Sequence, residues 1–476
     1  MTAMRVRVLA VDFHERPYRL RMPFRFGVTT ATHGRQAIAR VRIGLEDGRE
    51  AEGYAAEALG AKWFDKNLAL SDAQNHHQLR KSLELASDAY LSAPQATPFD
   101  LFADHYEAHF AACDELQLNA LIASYGQSLV DRATLDALCR SLGISFYEAM
   151  RVNLVGLRPH AVAPDLDDRD LAGLFSGFRP ASTIAVRHTV GLSDPIHAAD
   201  LAAGDRVNDG LPETLEEVVA THGNRWFKLK ISGEEAADLD RLTRIASVLD
   251  RIDVGYRATL DGNEQYADAE AIAAFYARLV ETPALARLAS AIVCVEQPIN
   301  RKTALEVPIA ALAEHVPVII DESDGELSAF ARARSLGYAG VSSKTCKGIY
   351  KSMLNHARCR KWNAQGGAFF MSAEDLTCEP GISLQQDLAL VNLLGLTHVE
   401  RNAHHFIDGF GGRPQSECDA FLSAHPDLYH RQDDRVRLDI REGAIAIGSL
   451  DCPGFGTGVS PDLGACEAMP RAEWPQ

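Results

Sequence analysis

The stretch Val318-Ile319-Ile320-Asp321-Glu322-Ser323 is a short apolar run that ends in a carboxylate. Two earlier stretches repeat this pattern, Ala258-Thr259-Leu260-Asp261-Gly262-Asn263 and Val293-Cys294-Val295-Glu296-Gln297-Pro298. The terminal carboxylates are 35 and 25 residues apart, about the length of one strand-plus-helix unit. Consecutive parallel strands would place all three at one barrel mouth, where active sites lie. Carboxylates are the ligands that hard divalent cations such as Mg²⁺ prefer, so the pattern predicts a metal site formed by Asp261, Glu296 and Asp321.

The length and composition are those of a large globular protein. The chain has 476 residues, of which 46% are hydrophobic and 24% are charged. This length predicts two or three domains, because one hydrophobic core rarely grows so large. The formal net charge of −17 argues against a nucleic-acid partner, which would require a basic face. A local group of lysines with a metal would still attract an anionic substrate.

The cysteines and the apolar runs indicate the cellular setting. The nine cysteines are spread singly, without the paired spacing of a zinc site. This usage is typical of reduced thiols in the cytoplasm. No apolar run approaches about 18 residues, so we predict a cytoplasmic protein that does not contact a membrane.

The hydrophobic periodicity divides the chain into three parts. Residues 1–60 alternate as strands do, and residues 71–142 have helical spacing, which together predict an α+β domain. We interpret residues 151–180 as a linker or an insertion. Eight strand candidates then alternate with helical segments and predict a (β/α) barrel. The candidates are Ala185–Val190, Trp226–Ile231, Ala258–Asp261, Ile292–Glu296, Val316–Asp321, Gly340–Lys344, Ala368–Ser372 and His398–Glu400.

Three lysines accompany the carboxylates. Lys228 and Lys230 are two residues apart on one strand candidate, so their side chains should point to the same face. Like-charge repulsion and burial would lower an amine pKa there, as a general base near neutral pH requires. Lys344 ends the sixth candidate, across the predicted barrel from Lys230. We assign the neighbouring Lys347 and Lys351 to the surface.

The ordered set Lys-x-Lys, Asp, Glu, Asp and Lys resembles the enolase superfamily, and within it the muconate-lactonizing and mandelate-racemase-like branch. The segments Arg21–Phe24 and Gly53–Glu57 resemble that family's N-terminal capping domain, and Asp451–Gly456 resembles its C-terminal segment. The resemblance implies a modified TIM-type barrel of about eight strands with an α+β capping domain. We place the capping domain, with its helical block and linker, at residues 1–178. The barrel then spans 179–410, and 411–476 pack back on the cap.

The resemblance also implies roles for single residues. Asp261, Glu296 and Asp321 would bind one Mg²⁺. Lys230 would be the base on one face of the substrate, Lys344 would act on the other face, and Lys228 would tune Lys230 and contact the substrate carboxylate. The implied chemistry is removal of a proton α to a carboxylate through an enediolate intermediate. The residues expected to contact substrate are Asn263, Glu374, Thr29 and Tyr54. By position, Thr30 and Lys62-Trp63-Phe64 would be lid contacts, with ordinary core as the alternative for Trp63 and Phe64.

Some assignments stay open at the level of sequence. Glu374 or Asp375, after the seventh strand, would contact substrate or Lys344, while Glu322 and Asp324 fit supporting or helix-capping roles. Of the adjacent His404 and His405, one faces the pocket or both are structural. Relatives with a His-Asp pair as second base carry that histidine at the seventh strand, where this chain has none. A lysine pair is therefore favoured.

The favoured function is a Mg²⁺-dependent lyase that dehydrates a sugar acid or a related hydroxy acid. A cycloisomerase, racemase or epimerase of the same superfamily is the alternative, because two opposed lysines permit proton transfer on either face. An alternative of another class is a non-catalytic barrel that serves as a binding subunit. In the enzyme interpretation the partner is a small carboxylate, and the resemblance implies a homo-oligomer.

Overall fold

Alternating residues at the start of the chain form a long β-hairpin, and the later strand candidates form a barrel. The computed structural model describes residues 3–202, 204–376 and 379–474. The strands are β1 Val6–Phe26, β2 Thr29–Leu45, β3 Glu50–Ala58, β4 Thr183–Val190, β5 Trp226–Lys230, β6 Arg257–Asp261, β7 Ile292–Glu296, β8 Val318–Ile320, β9 Gly340–Ser343, β10 Phe370–Ala373, β11 His398–Glu400, β12 Tyr429–Gln432, β13 Arg435–Leu438, β14 Ile440–Arg441, β15 Ala444–Ala446 and β16 Glu467–Ala468.

Helices fill the connections between most of these strands. They are α1 Ala61–Phe64, α2 Asp72–Ser92, α3 Pro98–Glu115, α4 Ala120–Leu142, α5 Phe146–Arg151, α6 Asp168–Leu171, α7 Leu215–His222, α8 Glu235–Leu249, α9 Ala269–Glu281, α10 Ala286–Ala291, α11 Arg301–Ala304, α12 Ala310–Ala313, α13 Ala329–Ser335, α14 Ile349–Ala364, α15 Ile382–Leu393, α16 Ala403–Phe406 and α17 Gln415–Ala424.

The β1–β2 hairpin is the main element of the cap, by which we mean β1–β3, β16 and α1–α4. Its turn is Gly27-Val28, and Gly27 has the positive φ of +51° that suits glycine. The pairing of β1 with β2 shifts between Arg19 and Phe24, which marks a bulge near the tip. The sheet order is β16-β1-β2-β3, α2 and α4 pack on it, and α3 packs on these two helices, which gives the predicted α+β domain. The hairpin therefore projects beyond the sheet toward the barrel.

Strand β3 crosses α4 with almost no space between the two backbones at Gly53. A Cβ atom at this position would lie 2.1 Å from the Ala137 nitrogen and 2.3 Å from the Ala133 oxygen. We expect Gly53→Ala to lower the free energy of unfolding by about 1–3 kcal/mol or more, because the helix must move away. Urea denaturation measures this change. Gly255→Ala is the matched control, since a Cβ there meets no atom within 4 Å, and an equal loss in both variants would contradict the prediction.

The barrel confirms the eight predicted strands. Neighbouring strands from β4 to β10 pair in parallel and in chain order, and β11 pairs with β4. No ladder joins β10 to β11 within the described residues. Buried Arg187 on β4 lies where that ladder is missing, because its guanidinium donates to the Ser372 hydroxyl and the Ala373 carbonyl of β10. One continuous hydrophobic cluster extends from the cap sheet through α4 into the barrel.

The C-terminal part contacts both the cap and the barrel. Strand β16 pairs with β1 of the cap, and Phe455 stacks on Phe146 at 4.0 Å between ring centroids. Strand β15, in contrast, pairs antiparallel with β4 of the barrel. The prediction that residues 411–476 pack back on the cap is therefore incomplete, because the 440–446 hairpin extends the barrel sheet. The predicted domain bounds stay a prediction.

The segment 151–180 lies against the barrel helix α14. Arg358 pairs with Asp165 at 2.8 Å, and Lys361 pairs with Asp170 at 2.7 Å. The eight cysteines of the described ranges are free thiols, and Cys378 lies outside those ranges. Across the described part of the chain, every helix is too short or too polar to cross a membrane.

Candidate active site

The register of the barrel places the predicted residues in one row. Lys230 pairs with Asp261 across β5 and β6, and Asp261 pairs with Glu296 across β6 and β7. Asp321 directly follows β8, and Lys344 directly follows β9. All five side chains are buried at the carboxyl ends of the strands. The sequence-predicted lysines and carboxylates therefore meet at one barrel mouth.

Lys228 is the centre of this row. Its ammonium contacts four carboxylates, those of Asp261 at 3.0 Å, Glu296 at 2.7 Å, Glu374 at 2.7 Å and Glu400 at 3.1 Å. Burial lowers the pKa of Lys228, but these carboxylates outweigh burial and raise it well above its ordinary value. The sequence did not reveal how many carboxylates face Lys228, and the lowered pKa expected for the base of the Lys-x-Lys pair beside a metal stays a prediction.

Lys230 and Lys344 lie at opposite sides of the mouth, four strands apart in an eight-stranded barrel. The Lys230 ammonium donates to Asp261 at 2.5 Å, and the Lys344 ammonium donates to Asp321 at 2.6 Å. Lys344 also lies 4.2 Å from the centre of the Trp63 ring, which is a cation–π contact. Burial lowers the pKa of Lys344, but Asp321 raises it more, so the pKa lies above its ordinary value.

The donor set fits a hard divalent cation. Asp261, Glu296 and Asp321 supply only carboxylate oxygens, and all three side chains are buried. Burial, together with the nearby Asp261 and Glu374, raises the pKa of Glu296 well above its ordinary value. Within the described ranges, however, no three His, Cys, Asp or Glu side chains are already arranged around one metal position. Lysine ammonium groups contact these carboxylates instead, and a cation would replace them.

Two buried residues of the site escaped the sequence analysis. Glu400, at the end of β11, accepts from Lys228 and from the Thr189 hydroxyl at 2.5 Å. Arg187 pairs with Glu374. Glu400 could have been found from the sequence, because it ends a strand candidate as the three predicted carboxylates do. No local sequence pattern indicated Arg187.

Lys347 and Lys351 are buried, so their assignment to the surface is wrong. The Lys347 ammonium donates to the Ser342 hydroxyl at 2.7 Å and lies 3.3 Å from both Asp321 and Asp324. Lys351 lies 3.7 Å from Asp324, and burial lowers its pKa to about 8. The sequence showed two charges after a strand, but not the acidic groups that face them.

The cavity above this row has a volume of about 140 Å³. Its barrel side includes Lys228, Lys230, Lys344, Asp261, Asn263, Asp321, Asp375 and Glu400, and its cap side includes Thr29, Thr30, Lys62 and Trp63. Tyr54 is not among the described residues that line it. The Tyr54 hydroxyl donates to Glu52, and its ring faces Arg140. The structure thus brings the predicted residues to this cavity except Tyr54 and Phe64, and Phe64 packs on Tyr125 in the hydrophobic core. Glu296 and Glu374 contact Lys228 but are not among the described residues that line the cavity.

Lys66, which follows α1, makes charged contacts with residues that flank the carboxylates, and we call these contacts the Lys66 latch. The Lys66 ammonium lies 2.6 Å from Glu264 and 3.2 Å from Glu322, and it donates to the Asn263 carbonyl at 2.8 Å. Arg301 donates to the Trp63 and Phe64 carbonyls at 3.0 Å. Glu322 therefore has a supporting role, as one of the sequence interpretations proposed.

His404 and His405 belong to a buried group of imidazoles outside this cavity. The rings of His188 and His404 share a hydrogen bond of 3.1 Å, and the ring of His222 packs against His404. The His405 carbonyl accepts from Arg21 of the hairpin at 2.7 Å. Of the two open interpretations, the structural one agrees with these contacts.

Comparison with protein families identifies the chain. The sequence profile of the family described as Enolase C-terminal domain-like matches residues 210–463. The chain belongs to this family. No match was found among curated proteins.

Solved structures share this enolase-like fold over almost the whole chain. A dipeptide epimerase from Enterococcus faecalis, complexed with Mg and the dipeptide L-Leu-L-Tyr, is 13% identical with a TM-score of 0.59, covering 94% of this chain and 99% of its own. An enolase from Bradyrhizobium, complexed with magnesium and mandelic acid, is 17% identical with a TM-score of 0.58, covering 98% of each chain. A muconate lactonizing enzyme from Pseudomonas fluorescens, complexed with muconolactone, is 15% identical with a TM-score of 0.57, covering 97% of this chain and 99% of its own. At these identities the similarity shows the fold, which is the predicted TIM-type barrel with a cap.

Proposed function

We propose that this enolase-like protein is a divalent-metal-dependent lyase or isomerase that removes the proton α to a carboxylate. The observation that carries the proposal is the position of Lys230 and Lys344 across one cavity, with three carboxylates between them. An acid bound between two amines presents one face of its α-carbon to each of them. The fold relatives support the proposal, because they include an epimerase and an enolase complexed with magnesium and mandelic acid.

Asp261, Glu296 and Asp321 would hold the cation. Mg²⁺ bound there would supply positive charge that competes with the lysines for these carboxylates and stabilises negative charge on the substrate carboxylate. The Lys228 ammonium would contact a substrate carboxylate oxygen. Lys230 Nζ, as a neutral amine, would accept the α-proton.

The role of Lys344 would differ between the candidate reactions. The Lys344 ammonium would return a proton to the opposite face of the α-carbon in racemisation or epimerisation. In dehydration it would protonate the departing hydroxyl group. Dehydration of a sugar acid or hydroxy acid stays our sequence-based prediction, and racemisation, epimerisation or cycloisomerisation is the alternative. Homo-oligomerisation and the cytoplasmic location also stay predictions.

Exchange of the α-proton with deuterium tests the proposal. A library of small carboxylic acids is incubated in D₂O with the protein, with Mg²⁺ or with EDTA, and followed by proton NMR. We expect at least one acid to exchange with Mg²⁺, and that exchange to stop with EDTA. Binding of an acid without exchange by any member would contradict the proposal and favour the non-catalytic binding subunit.

The Lys66 latch gives a further prediction for the same assay. Lys66→Ala removes three contacts with residues that flank the metal ligands, and contacts with a charged group are each worth about 1.5–3 kcal/mol. We expect turnover to fall about 10-fold or more, because the cap no longer holds Asn263 and Glu322. Lys81→Ala is the matched control, since its side chain has similar exposure and pairs only with Glu84 among the salt bridges of the described residues. Equal activity of the two variants would show that the latch is dispensable.

A further inference from the structure

We infer that the acid bound at this site carries a compact apolar substituent, about the size of a phenyl ring or a branched alkyl group. The inference rests on the proposed function and names its substrate class. It follows from the chemistry of the cap wall that faces Lys230 and Lys344.

The cap wall is apolar where it is buried. The hairpin contributes Leu20, Phe24 and Phe26, and α1 contributes Trp63. Leu376, after β10, continues this surface and packs against Gly60 at the start of α1. These side chains come from three separate segments, yet they line one side of one cavity. A ligand group on this side of the cavity would therefore contact apolar side chains from several directions.

The hairpin is fixed on the barrel. Phe24 packs on Phe406 with ring centroids 4.4 Å apart. Arg21 donates to Asp209 at 2.6 Å and to the His405 carbonyl at 2.7 Å. These contacts hold the hairpin on the barrel at Arg21 and Phe24, next to Leu20 and Phe26. Leu20 and Phe26 therefore form a preorganised wall.

Some polar residues on the cap side are committed elsewhere or lie at the rim, while Tyr18, Thr29, Thr30 and His76 also line the cavity. The Lys62 ammonium donates to Asn75 at 2.8 Å and to the Asn67 carbonyl at 3.2 Å. Thr32 and His33 are exposed and hydrogen-bonded to each other at 3.0 Å. Asp72 is likewise exposed, at the start of α2. The buried side chains of this wall, Phe24, Leu59 and Trp63, thus offer a substrate hydroxyl group only the Trp63 indole N–H.

The apolar wall reaches the reacting position. Trp63 lies 4.2 Å from the Lys344 ammonium, so a substituent next to the α-carbon would touch the indole ring. The whole cavity, of about 140 Å³, must also take the carboxylate and the α-carbon, so its volume limits the substituent to a compact group. A polyhydroxylated chain would leave hydroxyl groups without partners against this wall. The inference therefore replaces the sugar acid of the sequence-based prediction with an acid that has an apolar side group.

Two acids that differ in this group test the inference. Binding of 2-hydroxy-3-phenylpropanoate and of gluconate to the Mg²⁺-loaded protein is measured by calorimetry, and α-proton exchange of each by NMR. We expect the phenyl acid to bind about 100-fold more tightly, the discrimination that an apolar pocket achieves against a hydroxyl-bearing analogue. Equal binding, or tighter binding of gluconate, would overturn the inference.

Substitutions in the cap wall distinguish an effect on substrate recognition from an effect on folding. Phe26→Ala should weaken binding of the phenyl acid about 10-fold or more and leave gluconate nearly unchanged. Leu20→Ala is a second, smaller change that should act in the same direction if Phe26→Ala disturbs the hairpin. Val28→Ala is the control, because Val28 lies at the same tip and is 59% exposed. An unchanged ratio of the two affinities in both wall variants would overturn the inference.

The outcomes also separate this inference from the proposed function. Exchange of gluconate but not of the phenyl acid, lost in Lys230→Ala, would overturn the inference and support the proposed function. Selective binding of the phenyl acid without exchange would support apolar recognition and overturn the proposed reaction. Failure of both acids to bind would overturn the inference.

Discussion

Replacing Lys230 with alanine should lower turnover of a confirmed substrate by about 10²–10⁴-fold, the usual contribution of a positioned general base. The ammonium of Lys230 contacts only Asp261 among the salt bridges of the described residues, and it lines the cavity. The base is therefore lost while the four contacts of Lys228 remain. The rate is measured as loss of the α-proton signal in D₂O with saturating Mg²⁺.

Lys302→Ala is the control for this experiment, because Lys302 is exposed outside the row of lysines. Lys344→Ala adds a test of the two-face arrangement. In a racemase it should stop exchange from one enantiomer and preserve exchange from the other. Full turnover in both Lys230→Ala and Lys344→Ala would refute the assignment of these lysines.

The eight barrel strands could be predicted from the sequence because each is a short apolar run between helical segments. Asp261, Glu296 and Asp321 could be placed together for the same reason, since parallel strands end at one mouth. Local pattern and topology are sufficient when a side chain extends from the end of a regular element. The carboxylate row is therefore the part of the site that a single sequence reveals best.

The electrostatics of the site could not be predicted in this way. Lys228 meets four carboxylates from four different strands, and two of them, Glu374 and Glu400, come from strands that the sequence places more than 140 residues later. The burial of Lys347 likewise depends on Asp321 and Asp324, which belong to a preceding unit. Which charges face one another is set by the closure of the barrel. The raised pKa of Lys228 is a consequence of this closure.

The β1–β2 hairpin reaches the cavity, and its apolar residues there are the reason why we infer an acid with an apolar side group instead of a sugar acid. The sequence marked Arg21–Phe24 as a cap segment, but only the structure shows that Phe24 packs on Phe406 and leaves Phe26 and Leu20 at the cavity. The partners in this contact are about 380 residues apart in the chain. The wall that we propose selects the substrate therefore depends on long-range packing, whereas the proposed reacting groups lie at strand ends.

Replacing Arg187 with alanine should lower the free energy of unfolding by about 3–5 kcal/mol, the cost of breaking a buried ion pair by removing one partner. Arg187 is fully buried, it pairs with Glu374, and it donates to the Ala373 carbonyl at 2.7 Å and to the Ser372 hydroxyl at 2.9 Å. It thus connects β4 to β10 where no ladder joins β10 to β11 in the described structure. Urea denaturation measures the loss.

The control for Arg187 is Arg435→Ala, which removes a partly exposed pair with Asp408 and should cost no more than about 1 kcal/mol. Arg187→Lys keeps the charge but not the forked geometry, so it should recover only part of the loss. A full recovery would mean that charge alone matters. A loss in Arg187→Ala as small as that in Arg435→Ala would show that the barrel closes without this residue, and that Glu374 is held by Lys228 instead. Because Glu374 contacts both cations, a destabilised Arg187→Ala should also loosen Lys228 and weaken substrate binding in the exchange assay.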